Sequence, residues 1–178
     1  MVKLVKIIIT IIILNSSISL ALAADYGNWS LNYFVDEFGD PTKNKYIIID
    51  TEGLFSNSAT TNSSLFVYML IGGGEPDSPY FNFYEYGSNP VQGYYSGGHP
   101  YQCSMKNSND EKEKFSLFLW DGSSALWVSN PYKKKFNEWM SLEETIKFAC
   151  YEEDSVSSKY IFKINFEGYS AAMQALSE

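Results

Sequence analysis

The side chains best suited to acid–base chemistry are 21 Asp and Glu residues and a single histidine, His99. Two carboxylates held at a suitable separation could hydrolyse a glycosidic bond. Acidic residues adjacent in sequence, such as Glu152 and Glu153, point to opposite faces when they lie on a strand. No Ser, Cys or acidic residue stands in a recognised activating motif. The sequence therefore predicts no catalytic residue.

The densest acidic cluster contains Asp36, Glu37 and Asp40, with Asp50 and Glu52 on the next predicted strand. Ca²⁺ takes about six to eight oxygen ligands from flexible loops, and this cluster could supply several. Asp also forms turns by hydrogen bonding to its own backbone, and the EF-hand spacing is absent. We therefore expect a structural turn and no metal site. A catalytic couple, if the chain has one, should be built from this cluster.

Residues 87–101 form a Gly-rich loop that carries Tyr94, Tyr95, His99 and Tyr101. Tyrosines on such a loop can form a contact surface at a small entropic cost, as they do in antibody loops. The same pattern also suits a long connection held in place by its own aromatic side chains. These four residues are the candidate binding residues. His99 alone is no metal site, because zinc needs about three or four ligands.

Eight of the nine residues in 56–64 are Ser, Thr or Asn. Such side chains could hydrogen-bond a sugar or a peptide. They also bond to their own backbone and stabilise irregular loops. Because the stretch contains no aromatic residue, we favour the structural interpretation.

The amino-terminal segment has the three parts of a secretory signal peptide. Lys3 and Lys6 are followed by an apolar run at 7–14 and by Ala-Leu-Ala at 21–23. A membrane anchor needs about 20 apolar residues, and Asn15 interrupts this run. We expect residues 1–23 to be removed, leaving one domain at 24–178. No later stretch is apolar enough to span a bilayer, and the compartment is the periplasm or the exterior.

Two cysteines, Cys103 and Cys150, lie in the remaining chain. Exported proteins meet an oxidising environment, in which a pair can form a disulfide. Both cysteines fall on the apolar phase of their predicted strands. A disulfide is the favoured interpretation, and two separate buried thiols are the alternative.

The charge pattern argues against nucleic-acid binding. The chain has 13 Lys, no Arg and a formal charge of −8, and loss of the two lysines in 1–23 makes it −10. Nucleic-acid binding requires a basic face, on which Arg is the commonest reader of bases. The single basic run, Lys133 to Lys135, is typical of a solvated helix face.

Nine segments have the composition and alternation of β-strands. They are 29–35, 45–50, 65–71, 80–86, 101–105, 115–120, 125–128, 146–150 and 160–166. Asp121-Gly122 predicts a hairpin turn between two of them. Short helices are predicted at 131–140 and 170–176, the second with Ser170 as N-cap. We therefore expect a single all-β sandwich of about eight or nine strands with two short helices, one of them C-terminal.

The segments 29–42, 55–63 and 166–172 (WSLNYFVDEFGDPT, FSNSATTNS and FEGYSAA) resemble those of a family of small exported bacterial proteins of unknown function. More remotely, the layout resembles the invasion-associated locus B proteins and the accessory proteins of type VI secretion. Those are exported β-sandwiches without a known catalytic centre. The resemblance implies an envelope protein with a sandwich fold, and it implies no reaction.

The sequence thus predicts a non-catalytic exported protein that binds another protein or a cell-surface polymer, without a cofactor. One alternative is a hydrolase that acts on envelope carbohydrate through two carboxylates. Another is an inhibitor of an exported toxin or lytic enzyme, since an acidic domain suits a basic target.

Overall fold

A computed structural model describes residues 24–72, 75–93, 97–152 and 158–178, except for the side chains of 75–77. Within these ranges there are eleven strands, one 3-10 turn and two helices. The strands are β1 (Ala24–Tyr26), β2 (Trp29–Val35), β3 (Pro41–Ser56), β4 (Ser63–Gly72), β5 (Glu75–Glu85), β6 (Asn89–Pro90), β7 (His99–Lys106), β8 (Lys112–Leu119), β9 (Leu126–Val128), β10 (Thr145–Glu152) and β11 (Lys159–Asn165). The 3-10 turn is Asn130–Tyr132, and the helices are α1 (Lys133–Met140) and α2 (Tyr169–Ser177).

Eight of the strands close into an antiparallel β-barrel in the order β3, β11, β10, β7, β8, β9, β5, β4, and β4 pairs again with β3. The expectation of a sandwich is therefore wrong, because one continuous sheet closes on itself. The other three strands extend it: β1 and β2 from β3, and β6 from β5. Alternation of apolar and polar residues is the same for a barrel strand and a sandwich strand, so it could not separate the two.

Closure depends on β3, which is 16 residues long and much longer than the predicted strand 45–50. Its first part pairs with β2, its last part with β11, and its whole centre with β4. Gly53 lies where β11 joins. A Cβ atom at Gly53 would stand 2.5 Å from the carbonyl oxygen of Ile161, so only glycine allows β11 to approach this closely.

Alternate residues of each of the eight barrel strands fill the barrel, and aromatic rings dominate the interior. Phe148 and Phe162 stack across β10 and β11 with ring centroids 5.0 Å apart. Phe136 of α1 contacts Phe115 and Phe81, with centroid distances of 5.1 and 5.9 Å, so this helix packs against the interior rings. All nine predicted strands are confirmed, and the short β1 and β6 were missed.

The C-terminal helix α2 begins one residue earlier than predicted, and its N-cap differs. Gly168 occupies the N-cap position with φ of 86°, so the assignment of Ser170 as N-cap is wrong. The carboxylate of Glu143 accepts hydrogen bonds from the backbone N–H groups of Ser170 and Gly168, at 2.8 and 3.3 Å. A hydrogen bond from the Ser170 side chain, followed by these backbone bonds, holds the pKa of Glu143 below its usual value. A distant carboxylate therefore caps the helix.

Candidate functional site

The aromatic groove is an open depression of about 410 Å³ on the outer surface of the barrel. It is lined by Phe118, Trp120, Trp127, Val128, Ser129, Asn130 and Lys133. The side chain of Trp120 is 57% exposed, and its ring meets that of Phe118 edge-to-face with centroids 4.6 Å apart. Two indole rings and a phenyl ring thus stand at the surface beside a few polar groups, which is the usual composition of a ligand site.

The β8–β9 hairpin brings these rings together. Leu117 and Leu119 point into the barrel, so Phe118 points outward, and β9 places Trp127 directly opposite it. Between the strands, Ser123 N–H donates to the carbonyl oxygen of Trp120 at 3.0 Å. The hairpin predicted from Asp121-Gly122 is confirmed, although Gly122 alone has positive φ there, and the connection is longer than a two-residue turn.

The predicted binding loop borders the aromatic groove. Gly93 N–H donates to the carbonyl oxygen of Ser123, and Gly122 N–H donates to that of Gly93, both at 3.0 Å. At the other end of the loop, a Cβ on Gly98 would lie 2.5 Å from the ring of Phe118. Tyr94 and Tyr95, which lie between these two glycines in the sequence, are outside the described residues. Their role in binding stays a prediction.

The polar side of the aromatic groove is built on the chain that leads into α1. Ser129 accepts a hydrogen bond from the hydroxyl of Ser116 at 2.9 Å and is thereby held against β8. Asn130 is exposed at the start of the 3-10 turn. The ammonium group of Lys133 donates to the hydroxyl of Ser78 at 2.5 Å, which holds it at the wall of the groove. A ligand here would meet hydroxyl, amide and ammonium groups.

The other two predicted binding residues, His99 and Tyr101, lie on β7 with their side chains directed inward. Tyr101 is 1% exposed and His99 is 7% exposed. The expectation that both contribute to an exposed contact surface is therefore wrong. His99 and Tyr101 lie on the same face of β7 as Cys103 and Met105, and this face points to the core.

His99 and Tyr101 belong to a polar cluster with Glu85, Glu152 and Tyr160, in which the two carboxylates are half-buried. His99 Nδ1 lies 3.8 Å from a carboxylate oxygen of Glu152. The hydroxyl of Tyr160 donates to Glu85 at 2.9 Å. Burial, followed by the two nearby carboxylates, raises the pKa of Tyr101, so its phenol stays neutral. His99 and Tyr160 thus each lie beside a carboxylate at the edge of the aromatic core.

The sulfur atoms of Cys103 and Cys150 lie 2.08 Å apart. The two residues are directly opposite each other in the β7–β10 ladder, with Cα atoms 4.1 Å apart. The predicted disulfide between them is confirmed. It joins two barrel strands beside this polar cluster.

The two polar segments that the sequence placed in loops have structural roles. Asp36 Oδ1 accepts backbone hydrogen bonds from Phe38 and Asp40, at 2.9 and 3.0 Å, which forms the predicted turn. Asn57 Oδ1 likewise accepts from Ala59 and Thr60, at 2.9 and 3.1 Å, and organises the Ser/Thr/Asn-rich loop.

Asp50 and Glu52 are exposed on β3. Over the described ranges, no group of three or more His, Cys, Asp or Glu side chains is arranged to hold a metal ion. In the same part of the chain, neither helix has the length and apolar character needed to cross a bilayer.

The sequence indicated the hairpin but not its role. All residues of 115–120 except Ser116 are apolar. The alternation of apolar and polar residues that normally identifies the buried face of a strand is therefore weak here. The sequence does place Phe118 and Trp120 on one face of the strand and Phe115, Leu117 and Leu119 on the other. Aromatic residues on the outer phase of a hairpin are candidates for ligand contact.

No family model and no curated protein matches the chain. Among solved structures, the chain is similar to the crystal structure of invasion-associated protein B from Bartonella henselae. The sequence identity is 12%, the TM-score is 0.43, and the match covers 88% of this chain and 96% of the other. This match agrees with the remote similarity expected from the layout, and no functional residue is transferred from it.

Proposed function

We propose that this chain is a non-catalytic binding protein that acts after export and holds its partner in the aromatic groove. The observation that carries the proposal is the exposed ring of Trp120, which packs against Phe118 and lines the same depression as Trp127. Burying large aromatic side chains is among the strongest sources of binding energy at protein surfaces. An exposed cluster of this kind is therefore suited to contact a partner.

Export is the second part of the proposal. It rests on the signal-peptide pattern of residues 1–23, which are outside the described residues. The bonded pair Cys103–Cys150 supports it, because structural disulfides form and persist mainly in oxidising compartments. A periplasmic or secreted location is compatible with both observations.

The loop that carries Tyr94 and Tyr95 extends the same proposal. Its flanking glycines, Gly93 and Gly98, touch the turn after Trp120 and the ring of Phe118. The two tyrosines lie between these glycines in the sequence, and we include them in the proposed contact surface. Replacing both with Ala should weaken partner capture.

The proposal is tested by affinity capture from envelope extracts, with polysaccharide and protein fractions assayed separately. Trp120→Ala should lose the captured material. Phe38→Ala is the matched control, because Phe38 is 82% exposed on the turn organised by Asp36 and does not line the aromatic groove. Both side chains are exposed, so both variants should unfold close to the wild-type midpoint.

Two outcomes would contradict the proposal. Equal capture by wild type and Trp120→Ala would exclude the aromatic groove as the contact surface. Release of reducing ends from a captured polymer, catalysed by the purified protein, would exclude a non-catalytic role.

A further inference from the structure

The three consecutive lysines of the chain lie next to the aromatic groove. Lys133 lines it, and Lys133 and Lys134 also line an adjoining depression of about 500 Å³ with Asn137, Glu138 and Ser141. The two depressions share Lys133, so they adjoin along the first turn of α1. In a protein with a formal charge of −8, the one run of basic residues therefore borders the depression that Trp120 and Trp127 both line.

The local charge favours an anion. Among the described residues that line the aromatic groove, Lys133 is the only charged one. In the adjoining depression, Glu138 lies 3.5 Å from Lys135 Nζ, which offsets its charge. Asp121 is exposed after Trp120 and is the nearest acidic residue in sequence to the aromatic rings. The end of the surface formed by α1 is thus basic, and the end formed by the hairpin is aromatic.

The aromatic end suits a sugar ring. A pyranose has a face of C–H groups, which packs against an indole, and an edge of hydroxyl groups, which requires hydrogen-bond partners. Trp120 and Trp127 provide the rings, while Ser129 and Asn130 lie at the edge of the same depression. A polymer whose units combine a ring with a negative charge would use both ends of the surface.

We infer that the ligand is an acidic polysaccharide whose sugar rings pack on Trp120 and Trp127 and whose carboxylates bind at Lys133 and Lys134. This inference rests on the function proposed above and names its ligand class. Single-stranded nucleic acid also combines rings with negative charge. The absence of Arg, which is the commonest reader of bases, argues against it.

The test compares two ligands with the same sugar rings, one charged and one neutral: oligogalacturonate and the same oligomer with its carboxylates methyl-esterified. Binding to the purified protein is measured by tryptophan fluorescence and calorimetry. We expect the acidic oligomer to bind about tenfold more tightly at low salt, with the difference shrinking as salt screens the lysines. Trp120→Ala should weaken both ligands about tenfold, since both lose a stacking surface.

Lysine variants separate charge from stacking. Lys134→Gln should weaken the acidic oligomer roughly threefold and leave the esterified oligomer unchanged. Lys163→Gln is the control, because Lys163 is exposed on β11 and does not line either depression. It should leave both affinities unchanged.

The outcomes distinguish this inference from the function on which it rests. Equal affinity for the two oligomers, no binding of either, or tighter binding of oligothymidylate or of a peptide would overturn the acidic polysaccharide. The aromatic groove would still be the binding surface in those cases if Trp120→Ala abolished capture of the partner. If Trp120→Ala changed no interaction, the proposed function itself would fail.

Discussion

Tyr80 and Trp127 lie directly opposite each other across β5 and β9, and their ring centroids are 4.6 Å apart. The three-residue strand β9 is joined to β5 by this pair and by Phe81 with Leu126. The aromatic pair therefore contributes to barrel closure and also supports Trp127 as a wall of the aromatic groove.

A double-mutant cycle at Tyr80 and Trp127 should show a coupling of about 1 kcal/mol in the free energy of unfolding, because each Ala variant removes the same ring contact. Urea unfolding of the two single variants and the double variant measures it. Tyr80→Phe keeps the ring and should stay close to wild type. Fully additive single variants would show that the two rings do not stabilise each other.

Gly53→Ala should lower the free energy of unfolding by about 3 kcal/mol, because the new Cβ overlaps the backbone of Ile161 where β3 meets β11. Gly39→Ala is the comparison: no atom stands within 4 Å of its Cβ position, but its φ of +86° should cost about 1 kcal/mol. Chemical denaturation of both variants compares the two effects. A Gly53→Ala protein as stable as Gly39→Ala would mean that the contact between β3 and β11 relaxes easily.

Removing the disulfide by the double substitution Cys103→Ala and Cys150→Ala should cost about 2–4 kcal/mol, mainly because the unfolded chain regains freedom. The bond closes a loop with a sequence separation of 47. Thiol titration of the denatured, unreduced wild type should find no free thiol. Two free thiols in exported protein would show that the bond does not form there.

Stability should fall at alkaline pH because of Tyr160. Its burial, followed by the nearby Tyr101 and Glu85, raises its pKa above the ordinary value of 10.0. Above about pH 10 the unfolded chain releases this proton while the native protein keeps it, so the free energy of unfolding decreases as pH rises. Tyr160→Phe should flatten this decrease between about pH 10 and 11 in urea titrations. If the free energy of unfolding decreased with pH as steeply in Tyr160→Phe as in the wild type, another group would be responsible for the loss of stability.

Processing at the amino terminus is predicted at Ala-Leu-Ala, residues 21–23. Amino-terminal sequencing of exported protein should begin at Ala24, within about two residues. Lys3→Glu together with Lys6→Glu should slow export, because the positive region before the apolar run is lost. Soluble exported protein that retains Met1 would contradict cleavage.

The sequence by itself determined the elements and the phase of their side chains. Phe162 and Ile164 alternate with the polar Lys163 and Asn165, and both are buried in β11. The phase of Cys103 and Cys150 likewise predicted that both point inward. Side chains alternate every two residues along any strand, so a short window of sequence contains this information.

The tertiary structure decided how the strands close and which polar residues they bury. Pairing of β3 with both β4 and β11 makes a barrel, and the contacts with β11 join residues more than 100 positions apart, such as Phe55 and Tyr160. The Gly-rich sequence before it favoured a loop position for Tyr101. In the structure Tyr101 points to the same face of β7 as Cys103 and lies in the core. The aromatic groove likewise needs β8, β9 and α1 in contact. Local periodicity shows which face of a strand is apolar, but only long-range pairing determines what that face meets.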